Sequence, residues 1–465
     1  MPGPVVVLNV VGLTPRLLAH TPRLRTLAAD GFQASVRPAF PAVTCTAQAS
    51  MLTGTPPSRH GIVGNGWYFR ELGEVLLWRQ HNRLVQAEPV WETARRARPG
   101  FTTANICWWY AMGATTDITV TPRPIYHADG RKSPDCYTDP PELHDRLTAE
   151  LGDFPLFSYW GPGAGIASSR WIARAARSVF DGDRPDLTLV YLPHLDYDLQ
   201  RFGPESAQAV AAAAAVDQVA GDLADHVRGR GATVVVVSEY GITAVSREVH
   251  INRALRSAGL LRVHTQAGME YLDPWTSRAF AVADHQIAHV YVRDPAEVPR
   301  VARLLEALPG VGSVLDEDGK RAAGLDHPRS GELVAVAEPD AWFTYYFWMS
   351  DRRAPDYART VEIHRKPGYD PAELFLNPSD RLVKLRAGLA LARKRAGLRY
   401  TMDVVPLSGR WVRGSHGLVG DPADGPVLLC SDPAQRRDTL DAHEVRDLLL
   451  TFTGTRSGLW ALAEK

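Results

Sequence analysis

The chain is poor in cysteine, has no dominant charge and contains no long apolar run, and each shortage narrows the field. Cys45, Cys107, Cys136 and Cys430 are its four cysteines, scattered with no CxxC pair. That spacing disfavours a zinc site built from thiolates and leaves reduced thiols of a cytoplasmic protein as the expectation. Lys plus Arg and Asp plus Glu each total 52, so no global field draws the chain to a nucleic acid polymer or an acidic membrane. An anionic substrate must be handled by a local site. No stretch of 18 apolar residues is present, so neither a transmembrane helix nor a membrane partner is expected. The N-terminus, Met-Pro-Gly-Pro before Val5 to Val11, lacks a basic region, and Asn9 breaks its apolar run; a signal peptide is not expected.

What the sequence does contain is an ordinary folding composition, 45% hydrophobic and 22% charged, over 465 residues. That length exceeds what one core fills, so a large domain with a smaller appended one is expected. Val5 to Val11, Leu187 to Leu192 and Thr233 to Val237 are short, β-branched, nearly continuous apolar runs, the pattern of strands buried on both faces. Thr21-Pro22 opens a helix with Thr21 as N-cap and Pro22 at its first position. An Ala-rich helix over Ala207 to Arg228 joins the second and third strands, so the chain reads as parallel βαβ units. The fold class is α/β, with a doubly wound, mainly parallel sheet.

Residues 1–262 and 401–465 are assigned to this core. Residues of about 66–175 form an aromatic-rich insertion holding most of the twelve tryptophans, and 263–400 a small α+β cap. The cap has strands at Ile287 to Val292 and Glu332 to Ala337 and a helix through Ala296 to Leu308. The apolar run ending at Cys430 returns to the main sheet. Thr44 follows the Phe40-Pro41 turn, Asp196 follows Leu192, and Glu239 follows Val237. Ligands in open α/β sheets bind beyond the carboxyl ends of the strands, so these residues are expected to converge.

Three blocks near the N-terminus are specific: Phe40-Pro41-Ala42-Val43-Thr44, Ala49 to Gly54, and His60-Gly61-Ile62-Val63-Gly64-Asn65. Asp196 to Pro204, Ser238-Glu239-Tyr240-Gly241 and Gly414-Ser415-His416-Gly417 follow in order. Together they resemble the nucleotide pyrophosphatase/phosphodiesterase branch of the alkaline phosphatase superfamily, which includes phosphonoacetate hydrolase. The resemblance implies Thr44 as the phosphoryl-accepting nucleophile and Asn65 as the oxyanion stabiliser, roles that suit a hydroxyl at a helix start and an amide donor.

The family works with two metal ions, usually zinc, and here the chain departs from it. By the resemblance, one ion would draw on Asp196, Gln200 and His416; the other would draw on Thr44, Glu239 and Tyr240, with Val11 where an aspartate is expected. Asp196, Glu239 and His416 are the metal candidates, with Gln200, Tyr240, His194 and Asp198 as accessories. A single divalent ion (zinc, manganese or magnesium) is expected, and two zincs are not. Val11 cannot bind metal; Asn9 lies on its strand face, about 7 Å away. His250, Asp284, His285, His289 and His364 form a second set that would serve if the site were rebuilt, while Arg201 and Arg70 are candidates for substrate anions.

The function implied is a hydrolase or transferase acting on a phosphoester, phosphodiester or pyrophosphate bond of a phosphorylated small molecule, with Thr44 as nucleophile. Two alternatives stay open: a non-catalytic relative that binds a phospho-ligand, and an enzyme of another reaction class that reuses the pocket in secondary metabolism. For Thr44 itself the bland alternative is a helix N-cap without chemistry.

Overall fold

The computed structural model describes residues 2–128 and 131–456. The last nine residues assigned to the core, 457–465, lie outside that range. Along the chain the main elements are β1 (Val5–Val10), α1 (Pro22–Asp30), β2 (Phe32–Arg37), α2 (Thr44–Thr53), β3 (Thr103–Ile106), β4 (Ile118–Pro122) and β5 (Cys136–Asp139). They continue with α3 (Ile166–Asp183), β6 (Leu187–Leu192), α4 (His194–Phe202), α5 (Ala207–Arg228) and β7 (Thr233–Val237). A second group comprises β8 (Ala279–Asp284), β9 (Ile287–Val292), α6 (Val298–Glu306), β10 (Val311–Leu315), β11 (Leu333–Ala337) and α7 (Val383–Arg395). The chain closes with β12 (Val427–Cys430), β13 (Thr439–Asp441) and α8 (Glu444–Phe452).

Nine strands form the central sheet in the order β13-β2-β12-β7-β1-β6-β3-β4-β5. β12 runs antiparallel to both its neighbours and β5 antiparallel to β4; the other pairs are parallel. Every residue of β1 and of β6 is buried. Alternate side chains point to opposite faces, so both faces of the sheet centre are covered and the continuous apolar runs are explained. Helices α1, α3 and α5 pack on one another, and α2 packs on α8. β8 to β11 make a separate four-stranded antiparallel sheet, order β8-β9-β11-β10, with its own apolar cluster.

Two local expectations change. Thr21 does not cap α1: its hydroxyl donates to Leu18 O, and the buried Asp217 carboxylate of α5 accepts the first helical N–H groups, from Arg23 (3.1 Å) and Leu24 (2.9 Å). A charged acceptor from a neighbouring helix outcompetes a local hydroxyl. The stretch at about 66–175 supplies β3, β4 and β5 to the central sheet, and Trp67, Trp91, Trp108 and Trp171 are buried in apolar clusters. Those strands are four or five residues long, too short to register as apolar runs amid the aromatics.

Candidate functional site

The central strands end together. Val10 pairs with Leu192 and Asn9 with Val237, so the segments after β1, β6 and β7 leave the sheet at one edge. Gly12 turns the chain at φ 79°, and a Cβ there would lie 2.8 Å from Leu199 and 3.9 Å from Asp196 Cα. Only glycine lets α4 approach this closely in that conformation. Val11 is wholly buried in the main apolar cluster, so it lines the core rather than a ligand site.

Thr44 is the first residue of α2, preceded by the extended Val43. Its hydroxyl caps no backbone N–H. It lies 3.0 Å from the Tyr240 hydroxyl, which donates to Asp196 Oδ1 at 3.3 Å. Thr44 therefore does not cap α2, and the threonine, the tyrosine and the aspartate form one chain of hydrogen bonds.

Two arrangements flank that chain. On one side Glu239 is fully buried, and its Oε1 accepts from Asn9 Nδ2 (2.6 Å) and Gln48 Nε2 (2.5 Å). Gln48 is in turn held by the Trp109 amide, which donates to its Oε1 at 2.7 Å. Burial pushes the Glu239 carboxyl up to about 8, against the pull of these donors. On the other side Asp196 Oδ2 accepts from Gln200 Nε2 at 2.7 Å, and Gln200 Oε1 accepts from the Tyr369 hydroxyl at 2.9 Å. Burial pushes Asp196 up to about 7. His416 Nδ1 lies 2.8 Å from Ala42 O, so it carries the proton, and Nε2 presents a bare lone pair 4.0 Å from Asp196 Oδ1. Burial holds this imidazole neutral, well below its ordinary value.

The β8–β9 hairpin closes the site. Asp284 accepts from the Asn65 backbone N–H (2.7 Å) and, through Oδ1, from Asn65 Nδ2 (2.9 Å), while His285 Nδ1 lies 2.7 Å from the same Oδ1. Asn65 Oδ1 accepts the Cys45 amide at 2.9 Å, fixing the asparagine against the start of α2. His285 at the hairpin tip has φ 61°, a left-handed conformation unusual for a side-chain-bearing residue. The tip inserts its ring into a continuous stack: Tyr369 on His285 (3.7 Å between centroids), His285 on His416 (3.7 Å) and His416 on Tyr240 (3.6 Å). Asn9 Oδ1, Glu239 Oε2 and His285 Nε2 are buried here without a hydrogen-bond partner.

The donor set decides which ions the site fits. A ligating histidine normally donates its other ring N–H to a carbonyl or carboxylate, and His416 does so to Ala42. His416 Nε2 and Asp196 Oδ1, two acceptors facing each other with no hydrogen between them, fit one cation. Gln200 is no third ligand as it stands, since both ends of its amide are engaged. The other half fits less well: Val11 is apolar and Tyr240 offers a neutral phenol held far above its ordinary value by burial, while the amide donors serve only Glu239 Oε1 and leave Oε2 without a partner. Asp196, Glu239 and His416 do not gather as a compact trio. Among the described residues, the one such group with ligand atoms within 4.8 Å of one another is Asp135, Cys136 and His144, at the far edge of the sheet.

Of the other residues singled out in the sequence, His194 rests against α3, its amide donating to Ser169 Oγ, and burial pushes its imidazole down to about 4. Asp198 pairs with Arg201, whose guanidinium also donates to the Gly161, Ala164 and Leu374 carbonyls, a structural clamp rather than an anion contact. Arg70 is tied to Glu332 and the Pro328 and Ser330 carbonyls. His250 bonds Thr344, His289 is 2.9 Å from Val63 O, and His364 lies near Leu77 O, so only Asp284 and His285 of the second set join the site. Gln48 and Tyr369 went unnoticed. Gln48 is four residues after Thr44 on one helix face, a spacing that could have revealed it; nothing in the sequence pointed to Tyr369.

A threonine at a helix start, beyond the carboxyl ends of a mainly parallel sheet and beside an aspartate and a histidine, is the layout of the alkaline phosphatase superfamily. Within it the chain belongs to the type I phosphodiesterase / nucleotide pyrophosphatase family, whose profile matches residues 5–370. That membership supports a hydrolase reading. An uncharacterized pyrophosphatase/phosphodiesterase of Schizosaccharomyces pombe is 25% identical over 269 residues, 52% of this chain and 45% of the yeast protein. The match thus spans less than half of that relative. Two solved structures share the fold at low identity. Phosphonoacetate hydrolase from Sinorhizobium meliloti with phosphonoformate is 15% identical, with TM-score 0.62 over 97% of this chain and 96% of that one. Murine ectonucleotide pyrophosphatase / phosphodiesterase 5 with AMP is 16% identical, with TM-score 0.57 over 97% and 95%.

Proposed function

We propose that the protein cleaves or transfers a phosphoester, phosphodiester or pyrophosphate group of a small phosphorylated molecule at Thr44, with one divalent ion beside Asp196 and His416. The observation that carries this reading is the unbroken chain from the Thr44 hydroxyl through the Tyr240 phenol to Asp196. Thr44 Oγ forms its bond to phosphorus as the bond to the leaving oxygen breaks. Its proton passes along Tyr240 toward the Asp196 carboxylate. Asn65 spends one amide hydrogen on Asp284 and keeps the second for a phosphoryl oxygen. A bound ion would supply charge stabilisation at the phosphoryl oxygens. AMP and phosphonoformate, held by the two structural neighbours, define the ligand class to try first.

The test combines elemental analysis with turnover of an aryl phosphodiester. One ion per chain is expected, with turnover falling about a thousandfold in Thr44→Ala. Turnover that survives this substitution in a protein with an unchanged melting temperature would remove Thr44 from the chemistry.

The four-ring stack favours a second reading, in which the site only binds. It predicts thermal stabilisation by AMP, no ion and no turnover of any phosphoester.

A further inference from the structure

From the surface helix α7 we infer a function separate from the buried site: the protein docks on an anionic lipid bilayer through one face of this helix. Helix α7 attaches to the rest of the chain along one side, where Val383 and Ala387 pack with Met402, Val404 and Val405 and Ala390 is buried. Away from that side, Leu382, Leu385 and Leu389 stand 60%, 60% and 58% exposed. Their spacing (i, i+3, i+7) places them in a single stripe. Leu398, just past the last turn, is 58% exposed as well. Three leucines this open share one helix face, Leu398 stands open beyond its end, and no part of the described chain covers them.

The charge around the stripe identifies the occupant. Residues 381–399 contain seven Lys and Arg and no Asp or Glu, in a chain whose formal net charge is zero. At about 100° per residue, Arg386 and Arg393 border the leucines on one side and Arg381 on the other, with Lys384 and Arg395 further round the helix. Arg386 pairs with Asp380; the other four have no ion pair with any described residue. An apolar stripe with cations along both edges matches a lipid interface, where leucines enter the acyl boundary and long basic side chains reach back to anionic headgroups. The stripe is a convex helix face rather than a groove, so it suits a deformable lipid surface better than a folded acidic protein. Among the described residues no helix is long and apolar enough to cross a membrane, but a helix lying in the interface needs neither a span nor a charged chain.

The experiment sediments the whole chain with vesicles of phosphatidylcholine alone or with added phosphatidylglycerol. Binding is expected only to the anionic vesicles, weakening more than about tenfold between about 0.05 and 0.5 M NaCl as screening grows. Leu385→Glu/Leu389→Glu and, separately, Arg393→Glu/Arg395→Glu should each abolish it with the melting temperature unchanged. If the glutamate variants melt early, the lipid-charge and salt dependence of the unaltered protein decide alone. Absence of binding, or equal binding to neutral vesicles, overturns the inference. So does a concentration-dependent dimer that Leu385→Glu/Leu389→Glu dissociates, since the stripe would then join two copies of the chain.

Discussion

The two halves of the buried site hold one carboxyl group each and solve the same electrostatic problem differently. Glu239 is surrounded by donors: Asn9 and Gln48 both give N–H groups to one oxygen. Asp196 has a donor on each oxygen, Gln200 on Oδ2 and the Tyr240 hydroxyl on Oδ1, with the bare nitrogen of a neutral histidine 4.0 Å from Oδ1. A buried carboxylate without compensation is costly. Amides serve one oxygen of Glu239 and leave Oε2 without a partner, whereas between Asp196 and His416 two acceptors face each other, a gap that a proton or a metal ion fits.

That comparison breaks most readily with metal. Zinc added at about a hundred times its dissociation constant should stabilise the protein by about 2.7 kcal/mol. His416→Ala should abolish the effect, and Glu239→Gln should leave it intact. A thermal melt with and without zinc on the three proteins checks this; loss of the zinc effect in Glu239→Gln would place the ion in the wrong half.

Protons give the next largest effect. The Glu239 and Asp196 carboxyls are both raised by burial, to about 8 and about 7. A carboxyl raised on folding contributes stability that is complete below its unfolded value, near 4, and lost as pH climbs through the folded one. The metal-free protein should therefore melt progressively lower between about pH 5 and pH 9. Glu239→Gln, neutral throughout, should remove roughly 5 °C of that fall, and zinc should flatten the share belonging to Asp196. An identical pH slope in Glu239→Gln and the unaltered protein would mean that Glu239 does not titrate in this range.

Much of this arrangement was visible before folding was considered. The β-branched runs of β1, β6 and β7 bury both faces, so their continuity marks them, and the positions of Asp196 and Glu239 after strand ends point to the site edge. What escaped notice depends on contacts across long separations. Asp284 meets Asn65 across 219 positions, and Tyr369 meets Gln200 across 169. Neither pairing has a local pattern. Asn9 stands a full strand repeat from position 11, yet its amide reaches Glu239 just past the end of the neighbouring strand, where register rather than chain distance counts. The leucines of α7 were passed over for a related reason. A helical stripe flanked by cations lacks the long apolar run sought in a spanning segment.

The smallest effect tests how Gln200 is oriented. Its amide bridges the halves of the argument: Nε2 donates to Asp196 because Tyr369 donates to Oε1. Tyr369→Phe keeps the ring on His285 and removes only the hydroxyl, so the stack should persist while Gln200 loses the bond that fixes which end faces Asp196. One lost hydrogen bond to a buried amide oxygen costs about 1 kcal/mol, read as a small drop in melting temperature without zinc. With zinc the sign reverses: a freed amide can turn its oxygen toward the cation and act as a third ligand, so the zinc-induced stabilisation should grow in Tyr369→Phe. A zinc effect that shrinks instead would show that Tyr369 supports the ion from its present position, and that the Asp196 half is already complete with two ligands.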